Sequence, residues 1–371
     1  MPRTKKSCAQ KYISLCDKHW TFTAVLLIFY FRKPLCTGGF GMKIAFYDTR
    51  PYDKDAFTNA NRNFSYEIDF FDFHLNEKTA PSAKGYDVVC AFVNDRLNAA
   101  VIKTLKDCGI KLIAMRCAGY NNVDLQAAAS AGIKIVRVPS YSPHSVSEYA
   151  VALLLSLTRK LPQAHMRTRT GNFSLAGLTG RDLYGLTAGI IGTGKIGKLM
   201  AETLVGFGMK IELYDVYPDK SWAEEKGFAY VPLETIFKES DVISLHCPLT
   251  KETKHIINSK SLALMKKDAV IINTGRGALI DTPALVHALK RQEIGGAGLD
   301  VYEEESKYFF DDWSVDVIRD DILARLMTFP NVIITGHQAF LTTNALDSIA
   351  EITLGNIKDW NEGAELKNEV K

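Results

Sequence analysis

Residues 188–215 read AGIIGTGKIGKLMAETLVGFGMKIELYD, the most informative segment of the chain for its fold. An apolar run at 188–191 ends in Gly192, Gly194 and Gly197, a G-x-G-x-x-G pattern, and a segment of helical period follows. Gly192 permits a tight turn, Gly194 lets backbone N–H groups approach a pyrophosphate, and Gly197 lets strand and helix pack closely. The N-terminus of the helix then faces the negative phosphates. The stretch therefore predicts a strand–turn–helix unit that binds a dinucleotide.

An acidic residue closes the next predicted strand. Asp215 follows the apolar run at 210–214, within the distance at which such motifs place their ribose-binding carboxylate. A carboxylate there accepts hydrogen bonds from both ribose hydroxyls and repels a 2′-phosphate. The next residues, Val216 to Pro218, include no arginine, so the sequence favours NAD over NADP.

Short apolar runs alternate with helix-period stretches on both sides of this motif. Such alternation predicts parallel sheets covered by helices. The first series of candidate strands lies at 44–47, 88–92, 112–115 and 133–138, with helices at 99–108 and 125–131. The second lies at 188–191, 210–214, 242–245, 269–272, 297–299 and 332–334, the inventory of a complete dinucleotide-binding sheet. Ser142 and Pro143 begin a long apolar helix, and another helix is predicted at 344–361.

The length suggests two domains or one large domain, and the composition is ordinary for a globular protein. The chain has 371 residues, of which 47% are apolar, so wholesale disorder is excluded. Its seven cysteines form no CxxC pair, which suggests neither a zinc site nor a disulfide scaffold and favours a reducing compartment such as the cytoplasm. Seven of the 45 Lys and Arg but one of the 42 Asp and Glu fall in residues 1–41, so the rest carries a net charge of −3. That balance argues against a nucleic-acid partner.

Residues 1–41 form a basic leader with an apolar run at 20–31. Twelve residues fall short of the roughly 20 that a membrane-spanning helix needs, and no clean cleavage site follows Arg32, Lys33 and Pro34. A first strand begins at Met42. The leader is therefore predicted to be a disordered, dispensable or mis-assigned stretch, with a targeting or membrane-surface role as the alternative.

Candidate reacting groups follow the predicted strands, because ligands of open α/β sheets bind beyond the strands' carboxyl ends. They comprise His246, Cys247 and Pro248, the segment Asn273, Thr274, Gly275 and Arg276, then Asp300, the run Glu303, Glu304 and Glu305, and His337. An arginine can grip a carboxylate, a histidine can donate a proton near neutral pH, and a carboxylate can orient that histidine. Beside a nicotinamide, this trio predicts reduction of a 2-oxo acid. The pattern does not select one glutamate, and His246 is either a rival proton donor or part of a turn that cradles the cofactor.

The motifs resemble a known family. GTGKIG, LYDVYP, SDVISLHCPLT, INTGRGALID, GLDVYEEE and TGHQAF occur in that order, together with RCAGYNNVD (116–124), RVPSYSPHSVSEYA (137–150) and GHQAFLT (336–342). Over about residues 42–365 the chain resembles the D-specific 2-hydroxyacid dehydrogenases, and most closely their fermentative, lactate-forming branch.

The resemblance implies roles for particular residues. Arg276 would bind the substrate carboxylate, His337 would be the acid/base, and Glu305 its carboxylate partner. Ala118 and Gly119 would bind the substrate through backbone N–H groups, with Tyr141 and Phe340 on the substrate side. Cofactor contacts would include, besides Gly192, Gly194 and Gly197, the residues Lys195, Ile196, Asp215, His246, Cys247, Pro248, Thr253, Thr274, Gly275, Arg276, Asp300 and His337. No metal is expected.

It also implies an architecture and an activity. The expected fold is two Rossmann-like or flavodoxin-like α/β domains with parallel sheets. A cofactor domain at 143–338 would be inserted into a substrate domain built from 42–142 and 339–371, with crossings near Tyr141 and Gln338. The expected reaction is hydride transfer between NADH and pyruvate in a homo-oligomer, a dimer or tetramer. A related enzyme for a larger 2-oxo acid, or an NADH-sensing binding protein like the corepressors of this fold, remains open.

Overall fold

A computed structural model describes residues 41–371, so the predictions made for the leader lie outside the described residues, except at Gly41. The described strands are β1 (Lys43–Phe46), β2 (Glu67–Phe70), β3 (Val88–Ala91), β4 (Leu112–Met115), β5 (Lys134–Val136), β6 (Thr187–Ile191), β7 (Lys210–Tyr214), β8 (Ala229–Tyr230), β9 (Val242–Leu245), β10 (Val270–Asn273), β11 (Gly296–Leu299), β12 (Val332–Ile334) and β13 (Glu369–Val370). The helices are α1 (Pro51–Ala60), α2 (Ala99–Asp107), α3 (Leu125–Ala131), α4 (Pro143–Thr158), α5 (Leu161–Arg169), α6 (Lys195–Gly206), α7 (Lys220–Lys226), α8 (Leu233–Glu239), α9 (Ser259–Leu264), α10 (Thr282–Lys290), α11 (Asp321–Met327) and α12 (Thr343–Asn361).

The strands form two sheets, which we call the first and second lobes together with their covering helices. The first sheet has the order β13-β5-β4-β3-β1-β2 and the second has the order β12-β11-β10-β9-β6-β7-β8. All pairings in the second sheet are parallel, and in the first only β13 runs antiparallel, beside β5. The predicted fold class, two α/β domains with parallel sheets, is therefore confirmed, with one antiparallel edge strand that the sequence did not predict.

Each sheet is buried on both faces, which explains the continuous apolar runs in its central strands. In the first lobe Ile44 and Phe46 pack toward α1 and α12, while Ala45 and Tyr47 pack on the opposite side with α2 and α3. Helix α4 lies on the second sheet, against α6 and strands β10 and β11. Its apolar character, read from the sequence, reflects this burial between layers.

The chain passes between the lobes at two neighbouring points. Ser142 caps the start of α4 and Thr342 caps the start of α12. The Ser145 and Thr342 hydroxyls lie 2.7 Å apart, and Gln338 Nε2 donates to the Tyr149 hydroxyl at 2.7 Å. Both crossings are thus tied to each other beside the edge of the cavity described next.

Candidate active site

A cavity of about 540 Å³ lies between the lobes, where the carboxyl ends of both sets of strands meet. Loops after β3, β4 and β5 supply one wall, and loops after β9, β10 and β12 supply the other. The predicted site residues that line it are Ala118, Gly119, Tyr141, Ile196, His246, Cys247, Pro248, Thr274, Gly275, Arg276, His337 and Phe340. Residues from widely separated parts of the sequence therefore converge on one space.

Arg276 projects from the turn after β10. Asn273 Nδ2 donates to the Arg276 carbonyl at 2.9 Å, and the guanidinium Nη1 donates to the Gly275 carbonyl at 2.8 Å. The turn packs closely because Gly277 follows: a β-carbon there would lie 2.0 Å from the carbonyl carbon of Tyr302. Within residues 41–371 the Arg276 guanidinium has no carboxylate partner, so it offers its charge to an anion in the cavity.

Gly119 allows Arg276 to approach the turn after β4. A β-carbon on Gly119 would lie 2.7 Å from Arg276 Nη2, so any other residue here would displace the guanidinium from its place beside this backbone. The N–H groups of Ala118 and Gly119 donate to no acceptor within residues 41–371. The two amide donors, from one wall of the cavity, thus lie close to the Arg276 guanidinium, which comes from the opposite wall.

His337 and Glu305 form a hydrogen-bonded pair. His337 Nδ1 lies 3.0 Å from Glu305 Oε1, and the Tyr302 N–H donates to Glu305 Oε2 at 3.0 Å. This contact fixes the imidazole through Nδ1 and leaves Nε2 for the cavity that His337 lines. The backbone of His337 is left-handed, with φ 58°, an uncommon conformation for a residue with a side chain.

Asp300 holds His337 in that conformation. Its fully buried carboxylate accepts hydrogen bonds from Thr335 Oγ1 at 2.6 Å, Gln338 N at 2.9 Å and Ala339 N at 2.7 Å, and its carbonyl accepts from His337 N at 2.8 Å. Burial raises the pKa of Asp300, while these donors oppose the rise. Asp300 therefore serves the turn that carries His337, and its predicted cofactor contact stays a prediction.

His246, the rival proton donor, is in a different electrostatic state. Desolvation lowers the pKa of His246 to about 4, and its Nε2 lies 2.8 Å from Ser244 Oγ. A neutral imidazole is a poor proton donor near neutral pH. Its position in the cavity wall beside Cys247 and Pro248 fits the alternative interpretation, a turn against the cofactor.

Aromatic rings enclose the space around His337. The Phe310 ring centroid lies 5.8 Å from that of His337, the Phe92 centroid 5.5 Å from that of Phe310, and the Tyr141 centroid 6.2 Å from that of Phe340. Burial raises the pKa of Tyr141 to about 12, so its hydroxyl stays protonated. The space available to a substrate side chain next to His337 is therefore apolar.

The glycine turn between β6 and α6 has the geometry that a pyrophosphate needs. Gly192 has φ 94°, and a β-carbon there would lie 2.3 Å from the Cys247 nitrogen. At Gly197 a β-carbon would lie 1.9 Å from the Gly192 oxygen, whereas Gly194 faces open space. Asp215 reaches back to this turn, since its Oδ2 accepts from Thr193 N at 2.6 Å and Thr193 Oγ1 at 3.0 Å.

Comparisons with known proteins agree with this arrangement. Residues 151–339 match the model of the D-isomer specific 2-hydroxyacid dehydrogenase, NAD binding domain. The D-lactate dehydrogenase of Escherichia coli is 52% identical over 329 residues, covering 89% of this chain and all of that protein. The chain belongs to the D-isomer-specific 2-hydroxyacid dehydrogenase family.

Two further similarities bear on the branch of the D-isomer-specific 2-hydroxyacid dehydrogenases. A solved structure of the pyruvate reductase of Chlamydomonas reinhardtii superposes with a TM-score of 0.85 at 42% identity, covering 88% of this chain and 98% of that one. The aromatic 2-oxoacid reductase of Clostridium sporogenes is 44% identical over 329 residues, covering 88% of this chain and 99% of that protein. The cofactor of this dehydrogenase is NAD, and the residues present fit it, because the turn at Gly192 to Gly197 leaves the pyrophosphate space open.

Several residues predicted for this dehydrogenase do not line the cavity. They are Gly192, Gly194, Lys195, Gly197, Asp215, Thr253, Asp300 and Glu305. The glycines and Asp215 form the adjoining phosphate turn, and Glu305 stands behind His337. Thr253 closes the turn after His246 by donating to the Pro248 carbonyl at 2.6 Å. Their predicted contacts with the cofactor or substrate stay predictions.

Phe92, Arg137 and Phe310 are among the residues of the cavity wall that sequence reasoning missed. Phe92 and Arg137 directly follow strands β3 and β5, but the predicted strands at 88–92 and 133–138 included both residues, so the rule for polar strand ends passed over Arg137. Phe310 lies in the irregular segment 301–320, with φ 72°, where no periodic signal exists.

No helix between residues 41 and 371 combines the length and apolar character needed to cross a bilayer. Within the same part of the chain, no group of three or more His, Cys, Asp or Glu side chains is arranged to hold a metal ion.

Proposed function

We propose that this dehydrogenase reduces pyruvate to D-lactate with NADH. The observation that carries the proposal is a free guanidinium, Arg276, facing the same cavity as the His337–Glu305 pair. A 2-oxo acid needs these two groups at its two ends, an anion-binding group for the carboxylate and a proton donor for the carbonyl oxygen. The identity of the family supplies the D stereochemistry.

The carboxylate end of the substrate meets Arg276 and the backbone of Ala118 and Gly119. Arginine presents a planar fork that matches a carboxylate, and the two free N–H groups can complete its hydrogen bonding. The two lobes flank these contacts on both sides, which limits the water that can compete with them. The substrate is thereby held with its C2 carbon at a fixed distance from the cofactor domain.

The carbonyl end of the substrate meets His337. Protonated His337 donates its Nε2 proton to the carbonyl oxygen, which becomes the hydroxyl of the product. Glu305, at 3.0 Å from Nδ1, stabilises the imidazolium and fixes the ring plane. NADH, when bound, supplies the hydride that adds to C2. The proton and the hydride together account for the two hydrogens gained.

A larger 2-oxo acid is the second candidate substrate. The cavity of about 540 Å³ is bounded by aromatic rings, and a relative that is 44% identical is named an aromatic 2-oxoacid reductase. Apolar walls of Phe92, Phe310 and Phe340 would suit a larger side chain as well as a methyl group. Reduction of either substrate would use the same two groups, Arg276 for the carboxylate and His337 for the carbonyl oxygen.

One assay decides between these substrates. Purified protein and NADH are mixed with one 2-oxo acid at a time: pyruvate, 2-oxoisocaproate or phenylpyruvate. NADH oxidation is followed by the loss of the reduced-nicotinamide absorbance at about 340 nm. We expect the highest kcat/KM with pyruvate. A higher value with phenylpyruvate would assign the larger substrate, and NADH binding without turnover of any 2-oxo acid would instead support the NADH-sensing protein.

The setting of this activity is also a proposal. We expect a cytoplasmic, fermentative role and a homo-oligomer, dimer or tetramer, because the cysteine pattern fits a reducing compartment and the resemblance implies assembly. Light scattering coupled to gel filtration measures the oligomer. Fractionation of cells that express the full chain measures the location, including any effect of residues 1–41.

A further inference from the structure

Arg137 lines the same cavity as Arg276. It follows β5 directly and is partly buried. Arg137 Nη1 donates to the Ala118 carbonyl at 2.8 Å, and the guanidinium lies over the Tyr120 ring, 5.2 Å from its centroid. Within residues 41–371 it has no carboxylate partner. The Arg137 guanidinium therefore carries a positive charge in the cavity wall that is unpaired within the described residues, and the Ala118 carbonyl accepts a hydrogen bond from it.

The bonded carbonyl belongs to the peptide that Arg137 can influence most. The Ala118 C=O and the Gly119 N–H are the two ends of a single peptide unit. The chain from residue 41 onward has no cis peptide bond, so the two groups point in opposite directions. The Gly119 N–H therefore points away from Arg137. It has no acceptor within the described residues, and Gly119 itself lies against Arg276.

We propose that Arg137 is a positioning residue that strengthens substrate binding through the Ala118–Gly119 peptide. A cation at the carbonyl oxygen polarises the amide and makes its N–H a stronger donor, since hydrogen bonds in a chain reinforce one another. The same contact fixes the plane of the peptide. The proposal rests on the proposed function, in which this N–H binds the substrate carboxylate.

The surrounding structure holds Arg137 through its backbone. Its N–H donates to the Asn368 carbonyl at 3.1 Å and its carbonyl accepts from Asn356 Nδ2 at 2.9 Å. Asn368 Nδ2 in turn donates to Asn356 Oδ1 at 2.8 Å. A substitution of the Arg137 side chain leaves all these bonds in place, so it removes the contact with Ala118 without untying the C-terminal strand.

The test compares Arg137→Met, Arg137→Lys and a matched control, Arg167→Met. Methionine keeps an apolar stem over Tyr120 and removes the donor and the charge, and lysine restores the charge. Arg167 makes the same kind of bond, from Nη1 to the Ala176 carbonyl, on an exposed helix away from the cavity. The measurements are KM and kcat for pyruvate, Kd for oxamate in the presence of NADH, Kd for NADH, and Tm.

We expect Arg137→Met to raise the KM for pyruvate and the Kd for oxamate about tenfold, with kcat changed less than about threefold and NADH binding unchanged. Arg137→Lys should recover part of the loss, and Arg167→Met should match the wild type. Unchanged KM and oxamate binding in Arg137→Met would overturn the proposal. So would a selective loss of activity on oxaloacetate, which would make Arg137 a direct contact for a second carboxylate.

The same measurements separate this proposal from the proposed function. If the wild type reduces no 2-oxo acid, the proposed function fails. If the wild type reduces pyruvate and Arg276→Gln impairs it while Arg137→Met does not, only the role of Arg137 is overturned.

Discussion

Arg276 is the residue whose loss should be most damaging to substrate binding. Its guanidinium has no partner charge within the described chain, so its interaction energy is available to the substrate. We expect Arg276→Gln to lower kcat/KM for pyruvate about 100-fold or more, because charge-assisted hydrogen bonds are worth about 1.5–3 kcal/mol each. Arg291→Gln, on an exposed arginine paired with Glu293, is the control. A loss of less than about tenfold would remove Arg276 from the site.

Glu305 should position the His337 ring for proton transfer. Its Oε1 lies 3.0 Å from His337 Nδ1, so Glu305→Gln weakens the contact that fixes the ring, and we expect kcat for pyruvate to fall about tenfold or more while KM changes less. The measurement is kcat and KM for pyruvate at saturating NADH. Glu304→Gln is the matched control, because within residues 41–371 Glu304 pairs only with Lys307. A kcat equal to that of the wild type would contradict the role.

The sequence pattern could not show which of three neighbouring glutamates pairs with His337. Glu303 pairs with His255 at 2.7 Å, Glu304 with Lys307 at 2.7 Å, and Glu305 with His337 at 3.0 Å. The three side chains are chemically identical, and their partners are set by a short irregular turn after β11. Composition and spacing could not select one, whereas the resemblance to the family pointed to Glu305.

His246 should make the free energy of unfolding depend on acid pH. Its pKa is lowered to about 4 in the folded protein from an ordinary 6.5, so between these values the unfolded chain binds the extra proton. Stability is therefore lost as the pH falls from about 6.5 toward 4. At about pH 5, His246→Gln should therefore have lost about 1–2 kcal/mol less of its free energy of unfolding than the wild type. This figure follows from about 1.4 kcal/mol per pKa unit, reduced because the cavity beside His246 is open to solvent.

Urea unfolding of His246→Gln and the wild type at about pH 7 and about pH 5 tests this prediction, because only the lower pH lies between the folded and unfolded pKa values of His246. The control is His165→Gln, since His165 is exposed on α5. An equal loss of stability between the two pH values in His246→Gln and the wild type would show that burial does not keep His246 neutral.

In the β6–α6 unit, one glycine is needed for packing and another leaves space for the cofactor. A β-carbon at Gly194 meets nothing within 4 Å, whereas one at Gly197 would lie 1.9 Å from the Gly192 oxygen. We expect Gly194→Ala to keep the wild-type Tm and weaken NADH binding about tenfold or more, since the methyl group would occupy the phosphate space. Gly197→Ala should lower Tm by several degrees, because the strand and helix must move apart.

Thermal unfolding and NADH fluorescence titration of both variants provide the test. A Gly194→Ala variant that binds NADH as tightly as the wild type would show that no phosphate lies at this turn. Equal Tm losses in both variants would show that the two glycines share one structural role.

The elements that could be predicted are those whose pattern is determined by burial on both faces. Central strands such as β4 and β9 are fully buried and apolar except for Ser244, and they lie where the apolar runs predicted them. Strand β2 was missed because it lies at an edge and carries Glu67 and Asp69 among its four residues. Strands β8 and β13 have two residues each, too few to produce a pattern.

The cavity between the lobes depends on the irregular segment 301–320, whose position no sequence periodicity predicts. Residues 301–320 leave the second sheet after β11 and bring Phe310 to Phe92 of the first lobe, over His337. Such a contact between distant parts of the chain depends on how the lobes meet. The sequence could place Arg276 and His337 at strand ends, but not the wall that encloses them.

An ion pair between the lobes holds this segment. Arg50 Nη2, at the start of α1, lies 3.2 Å from Asp311 Oδ1, and 2.8 Å from Asp48 Oδ1, which is buried. His74 Nε2 lies 3.9 Å from Asp311 Oδ2. Asp311 is the residue after Phe310, so its contact with Arg50 helps to keep the Phe310 ring beside His337.

We expect Asp311→Asn to lower kcat/KM for pyruvate up to about fivefold, since a half-exposed ion pair contributes at most about 1 kcal/mol. Salt should reduce the wild-type value toward that of the variant, because a Debye length of about 3 Å at 1 M screens an exposed pair. Asp312→Asn is the matched control: its side chain accepts from Ser314 N and makes no ion pair within residues 41–371. If Asp311→Asn and Asp312→Asn behave alike at low salt, Phe310 is held by aromatic packing alone, and the Arg50–Asp311 pair contributes nothing to the cavity wall.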